Sequence, residues 1–363
     1  MTYLRKQGYD AEQIAFDYRC AEDLSGSGAK QGGSLTVIKE ADRFFRKAAM
    51  ALLRRGENVL HRVAQRRKKA FDPFNKSVIL HSQTLYDAST LPLCAEAYDA
   101  FITGSDQVWN FAWYTPVLFL DFVPSGKTKL SYAASIASRH LTETQQEILQ
   151  NSLRDFTAVS VREKSAVRLV EELSPVPVEE VLDPTLLLER EEWDTVCSER
   201  VIAEPYIFCY FLGEDRALRR LAARFAREHG LRLVTVPHAG GEVKFADRYY
   251  GVERLYDTTP GDFLSLIKYA TYVFTDSFHA VVFSNIYQRN FFVFNRNKTN
   301  EMNSRIIDIT RLLGFEQRYC YEKKQMNVQY LSSMPAVDYS KTNAIFEQQK
   351  EKSIGFLARA LAD

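Results

Sequence analysis

The sequence predicts an α/β protein of two doubly wound domains facing a cleft. Three observations lead there. Short apolar runs alternate with longer polar stretches of helical period, the pattern of strand–helix–strand units with a mostly parallel sheet. The alternation comes in two series, one from residue 100 to 182 and one from 206 to 294, split by a charged connector at roughly 189–204 that carries Trp193. The length of 363 residues also suits two domains, at roughly 100–200 residues each.

Taken in order, residues 2–7 read as a helix stopped by Gly8, followed by a strand near 13–18. Residues 25–34, SGSGAKQGGS, read as a loop rich in Gly and Ser. A basic helix is expected over 41–70, with an apolar stripe of Phe45, Ala49, Leu52, Val59 and Val63. Between Arg43 and Lys69 it carries ten Lys or Arg against one acid, Glu57, which fits a solvated face, or a patch for anionic lipid or an anionic partner. Expected strands follow at 100–103, 129–133, 158–161 and 178–182, then at 206–211, 231–236, 272–275 and 291–294, with an amphipathic helix at 216–228. The implied domains are 1–195, 196–335 and a last helical segment, 336–363, returning to the first domain.

Composition narrows the function. The 47 basic and 46 acidic side chains leave a formal charge of +1, so no global attraction to nucleic acid is expected and any anion site must be local. Cys20, Cys94, Cys197, Cys209 and Cys320 are scattered, no His-x-x-x-His pair occurs, and no metal site is expected. The cysteines read as reduced thiols of a cytoplasmic protein. No apolar run nears the roughly 20 residues that span a bilayer, and MTYLRKQGYD is too polar for a signal peptide.

In open parallel sheets ligands sit beyond the carboxyl ends of the strands, so the residues after each strand are the candidates. After 100–103 come Gly104, Ser105, Asp106, Gln107, Val108, Trp109 and Asn110; Gly104 permits close backbone approach, and Ser105 and Asp106 suit either a cap or a sugar hydroxyl. After 129–133 comes Ala134-Ser135-Ile136, where small side chains allow either close approach or tight packing. After 158–161 comes Arg162, whose planar fork suits a carboxylate or phosphate, or a salt bridge. Asp183-Pro184-Thr185 reads as a capped turn. After 272–275, Asp276-Ser277 leads into a helix whose first turn holds His279, apt for an anion or for proton transfer. Arg305 begins another helix within reach of the same cleft, or lies on the surface.

GSDQVWN (104–110), YAASI (132–136), SVREKS (160–165), LDPTLL (182–187), DSFHAVVFS (276–284) and Ser304-Arg305 occur in an order and spacing that resembles the polysaccharide pyruvyl transferase family. The resemblance covers about residues 1–320. It implies two Rossmann-like domains around a cleft, glycosyltransferase-B-like, and transfer of pyruvate from phosphoenolpyruvate onto two sugar hydroxyls as a cyclic ketal, releasing phosphate. The acceptor implied is a precursor of a cell-surface polysaccharide or capsule, often lipid-linked, worked at the inner face of the membrane. No cofactor is implied beyond phosphoenolpyruvate as co-substrate.

Carried onto this chain, His279 and Asp106 are the expected acid and base, and Arg162, Arg305, Ser277 and Ser135 the expected donor ligands. Gly104, Ser105, Trp109 and His238 are the expected acceptor contacts. Two departures stand out: the chain opens inside the helix that in the family follows a first strand and loop, and Ala280 stands where the family has Gly. A sugar-nucleotide glycosyltransferase of the same architecture, and an inactive glycan-binding relative, are the alternative readings.

Overall fold

The structure is a computed structural model in which residues 1–17, 65–67, 69–237, 253–296 and 303–362 are described. Most of the basic stretch 41–70 and the loop residue His238 lie outside the described residues.

In the second lobe six parallel strands form one sheet: β7 (Tyr206–Tyr210), β8 (Arg232–Thr235), β9 (Glu253–Arg254), β10 (Tyr272–Thr275), β11 (Asn290–Phe294) and β12 (Tyr319–Cys320). Their order is β12-β11-β10-β7-β8-β9. The central strands are apolar at nearly every position because both faces are covered. Period-two alternation sends Phe208, Val273, Phe291 and Val293 to one face, under helices Pro260–Lys268, Phe278–Ile286 and Ser304–Leu312. It sends Ile207, Cys209, Phe274, Phe292 and Phe294 to the other. There helix Arg216–Glu228, capped by Asp215 on the Ala217 amide, packs with Leu218, Leu221, Ala222 and Phe225. Fully burying one such ring contributes about 1.5–3 kcal/mol, so this two-sided core holds the lobe. Helix Phe278–Ile286 is apolar almost all round and is buried from Ala280 to Asn285.

The first lobe is built from parallel pairs: β1 (Gln13–Phe16) with β2 (His81–Tyr86), β3 (Ala100–Thr103) with β4 (Thr128–Ser131), and β5 (Val159–Val161) with β6 (Val178–Glu180). Parallel bridges Leu130↔Ala158 and Ala134↔Val161 join the last two pairs into one run, β3-β4-β5-β6. The expected strand at 129–133 stops at Ser131, since Ala133 turns to φ 52. β2, β9 and β12 had no counterpart among the expected strands; the last two are only two residues long.

Helix Tyr339–Ala360 ties the lobes together. At its start the Tyr339 hydroxyl donates to the carbonyls of Ser284 and Arg289 in the second lobe. Near its end Phe356 and Leu357 pack with Leu130, Tyr132, Val181 and Leu187 of the first, against Tyr3 and Leu4 of the opening helix Thr2–Lys6. Cys94, Cys209 and Cys320 are buried, Cys197 is half-buried, and none of these four is in a disulfide among the described residues. Among the described residues no helix is long and apolar enough to cross a membrane.

Candidate active site

The strand order of the second lobe reverses between β7 and β10, the point where a crevice opens in such sheets. The two loops that flank it are locked by one carboxylate. Asp276, directly after β10, accepts the backbone N–H groups of Leu212 (2.6 Å) and Gly213 (2.8 Å) after β7. Gly213 is required for this approach: a Cβ there would lie 2.3 Å from the Arg296 carbonyl oxygen and 2.9 Å from Asp276. Burial pushes the Asp276 carboxyl upward, partly opposed by Arg296.

Facing this crevice are the strand ends of the first lobe, where four charged residues meet. Arg162, after β5, donates from Nη1 to Asp183 Oδ2 (2.8 Å) and from Nη2 to Asp106 Oδ1 (2.8 Å), with Glu163 Oε1 at 3.4 Å. Its side chain is 1% exposed. Its guanidinium also lies 4.1 Å over the ring of Phe278, the first residue of the facing helix. Arg162 therefore sits beneath the cleft with its fork spent on carboxylates, instead of presenting it to a ligand. Burial alone would lower its pKa; Asp183, Glu163 and Asp106 outweigh burial and raise it.

Asp183 is the hub. Oδ1 accepts the amide (3.0 Å) and hydroxyl (2.6 Å) of Thr185, the capping role read from the sequence. Oδ2 accepts Ser105 (3.0 Å) and Arg162, and stands 3.8 Å from His279 Nε2 across the lobe boundary. Burial pushes its carboxyl up, yet His279 and Arg162 outweigh this and hold it well below the usual carboxylate range. Glu163 goes the other way: burial raises it more than Arg162 and the Ser135 hydroxyl bound to it lower it.

Besides the Arg162–Phe278 contact, polar contacts among the described residues join the lobes here: His279 to Asp183, Arg305 Nη1 to Asp106 Oδ1 (3.2 Å), and Ser165 by amide and hydroxyl to Asp308 (3.2 and 2.8 Å). Arg305 is 4% exposed and its Nε has no partner among the described residues. Asp106 is 45% exposed and held ionised: burial raises it, but Arg162, His279 and Arg305 prevail. That makes it a weak base and a good hydrogen-bond acceptor.

These groups border a cleft of about 1110 Å³ between the lobes. Of the expected site residues, His279, Asp106 and Ser277 line it. Arg305 reaches it through Asp106. Ser105 contacts Asp183, and Ser135 is fully buried on Glu163. Gly104 makes its close approach to the protein itself: a Cβ would lie 2.0 Å from the Tyr132 carbonyl oxygen. Trp109 is fully buried, stacked near Phe119, a core residue rather than a platform for sugar.

Sequence reasoning did not single out Arg67 and Arg296, which also line the cleft, nor Glu163. Arg296 is the second residue after β11, so the strand-end rule covers it.

A family model described as polysaccharide pyruvyl transferase matches residues 1–298. No curated protein matches the chain. Among solved structures, the chain is similar to a glycosyltransferase from Rickettsia africae ESF-5 at 11% identity and TM-score 0.43, covering 78% of this chain and 82% of that one. It is similar to UDP-N-acetylglucosamine 2-epimerase from Rickettsia bellii at 10% identity and TM-score 0.40, covering 75% and 79%. It is also similar to E. coli ADP-heptose lps heptosyltransferase II at 11% identity and TM-score 0.33, covering 75% and 85%. These likenesses concern the fold alone. The two lobes are Rossmann-like, each of parallel strands with the cleft at the strand ends, and the match over 1–298 decides the rest: this chain belongs to the polysaccharide pyruvyl transferase family.

Proposed function

We propose that this protein transfers the pyruvyl group of phosphoenolpyruvate to a sugar of a cell-surface polysaccharide precursor, closing a cyclic ketal and releasing phosphate. The observation that carries the reading is that His279 and Arg305, from one lobe, meet Asp183 and Asp106, from the other, beside one cleft that His279 and Asp106 line. A small trianionic donor needs compact cations and a proton source, and the site offers both.

In this scheme the His279 imidazolium gives a proton to the terminal enol carbon, leaving an oxocarbenium-like centre at the adjacent carbon. A sugar hydroxyl adds there and loses its proton. Phosphate departs with the C–O bond electrons, and a second hydroxyl adds and loses its proton, closing the ring. One proton is taken and two are returned, one of them leaving on hydrogen phosphate. Arg305 holds the donor's anionic groups. Asp106 accepts a hydrogen bond from the attacking hydroxyl and positions it. Arg162 does not touch the donor; it fixes Asp183 and Asp106.

The test mixes protein, phosphoenolpyruvate and a panel of lipid-linked and nitrophenyl sugars. Phosphate release should accompany a mass gain on the sugar of one pyruvate less water. His279→Ala should lose roughly 10²–10⁴-fold in rate, the usual worth of a general acid. Full activity in that variant removes His279 from the scheme, and turnover of a nucleotide sugar instead of phosphoenolpyruvate favours the glycosyltransferase reading.

The acceptor in this reading is lipid-linked, and the basic stretch 41–70 holds the enzyme at an anionic membrane face. Vesicles containing anionic lipid should co-sediment the protein at low salt and release it as salt rises. Absence of binding at low salt removes the membrane contact while leaving the chemistry untouched.

A further inference from the structure

The cleft holds a second group of cations that the donor chemistry does not use. Arg67 reaches it from residues 65–67 of the first lobe. Among the described residues its guanidinium donates only to neutral carbonyls of the second: Nη1 to Pro237 (2.7 Å), Nε to Tyr256 (3.2 Å) and Nη2 to Leu255 (3.4 Å). The nearby acid, Asp257, is paired with Arg66 at 3.4 Å. Arg296 donates from Nη2 to the Asp276 carbonyl (3.3 Å), and its buried Nε has no partner among the described residues. Among the described residues neither arginine has a carboxylate within ion-pair distance.

The two charges converge. Arg67 bonds Pro237, two residues after β8, and the Arg296 carbonyl lies against Gly213, three residues after β7, so both arginines line the cleft at the ends of neighbouring strands, with Tyr210 beside them. Arg296 and Arg67 thus bring two positive charges, one from each lobe, to the same cleft. Desolvated cations without counter-charge are costly, and an anionic ligand is the ordinary remedy. A three-carbon donor at His279 and Arg305 occupies only one end of about 1110 Å³. Beside the far cations the wall is aromatic, with Phe71, Tyr210 and Phe263 half-buried on the cleft. Five N–H donors in a planar fork match the several oxygens of a condensed phosphate.

We propose that Arg67 and Arg296 form a second anion subsite that takes a diphosphate group carried by the acceptor sugar. The proposal rests on the reading of the cleft as holding donor and acceptor together. A glycosyl diphosphate on a prenyl chain and one on a nucleoside share the recognised group, and either would set its apolar or aromatic portion on the Phe71–Phe263 wall.

The experiment is calorimetric titration of the full chain with inorganic pyrophosphate, which needs no turnover. The wild type should bind. Arg67→Gln and Arg296→Gln should each weaken binding by roughly tenfold or more, Arg296→Lys should recover part of it, and His279→Gln should leave it nearly unchanged. Circular dichroism establishes that each variant is folded. Titration with a farnesyl-linked and a uridine-linked glycosyl diphosphate then tells the two sources apart, tighter binding than pyrophosphate marking the one whose tail uses the wall. No pyrophosphate binding at about 10 mM, or binding indifferent to both arginines, overturns the subsite. Binding that behaves as stated in a protein that releases no phosphate from phosphoenolpyruvate keeps the subsite and discards the proposed reaction.

Discussion

Replacing Arg162 with Leu should destabilise the protein by about 3–5 kcal/mol, the scale for stripping a buried charge cluster of one partner. Arg162 is the only group that touches all three of Asp106, Glu163 and Asp183 among the described residues. Leucine would leave Asp183, which is 2% exposed, with hydroxyl and amide donors and a distant imidazole, and Glu163 with the Ser135 hydroxyl. Two carboxylates would then face each other in a medium that screens poorly. The contact with the Phe278 ring, which links the two lobes, would change from a cation over a ring to an alkyl over a ring. Urea unfolding of wild type and variant measures the difference, and a loss below about 1 kcal/mol would mean the cluster is screened like a surface pair.

The loss should also depend on pH in one direction. Asp183 and Asp106 have folded-state pKa values below their unfolded values, in part because of Arg162. Such groups contribute stability above the unfolded carboxylate range, near pH 4, and that contribution fades as pH falls through the folded values. Glu163 is raised even with Arg162 present, so without it the group takes up a proton still more readily. The gap between wild type and Arg162→Leu should therefore be widest at pH 7–8 and narrow toward pH 4. A gap that widens on acidification contradicts this account of the cluster.

The same cluster shows where the sequence was legible and where it was not. β3, β10 and helix Arg216–Glu228 lie where apolar runs and helical spacing place them, because a strand buried on both faces and a capped amphipathic helix each have a local signature. Arg162 was visible as an arginine at a strand end. Whether its fork met a ligand or an acid depended on Asp106, 56 residues away, and Asp183, 21 residues away, which no local pattern connects. Asp183 read as a turn cap and is one, but only one of its oxygens serves that turn. Trp109 stood in a segment rich in polar and small residues, yet the 3-10 turns at Phe111–Trp113 and Pro116–Phe119 fold over it, and it belongs to the core. Arg67 was submerged in a basic stretch whose pattern suggests a solvated face, and only its cross-lobe bonds set it apart.

Asp183→Asn should leave phosphoenolpyruvate bound and stop it reacting. Asparagine keeps the shape and retains an oxygen for the Thr185 amide or for Ser105. It removes the anion that faces both Arg162 and His279. Because His279 rises from the second lobe and Asp183 from the first, the ring is held in register with the cleft by a partner across the lobe boundary. Loss of that partner frees the ring without removing it, and the amide can present a donor where the ring needs an acceptor. In the proposed scheme donor binding rests on Arg305, which the change does not touch. Steady-state kinetics should then show kcat down by about 10²–10³-fold, the range for a misplaced general acid, with KM for phosphoenolpyruvate within about threefold of wild type. Asp183→Glu, which keeps the charge and shifts its position, should fall between the two. If KM rises in step with the fall in kcat, Asp183 shapes the donor pocket itself, and the link from Arg162 through Asp183 to His279 plays no part in proton transfer.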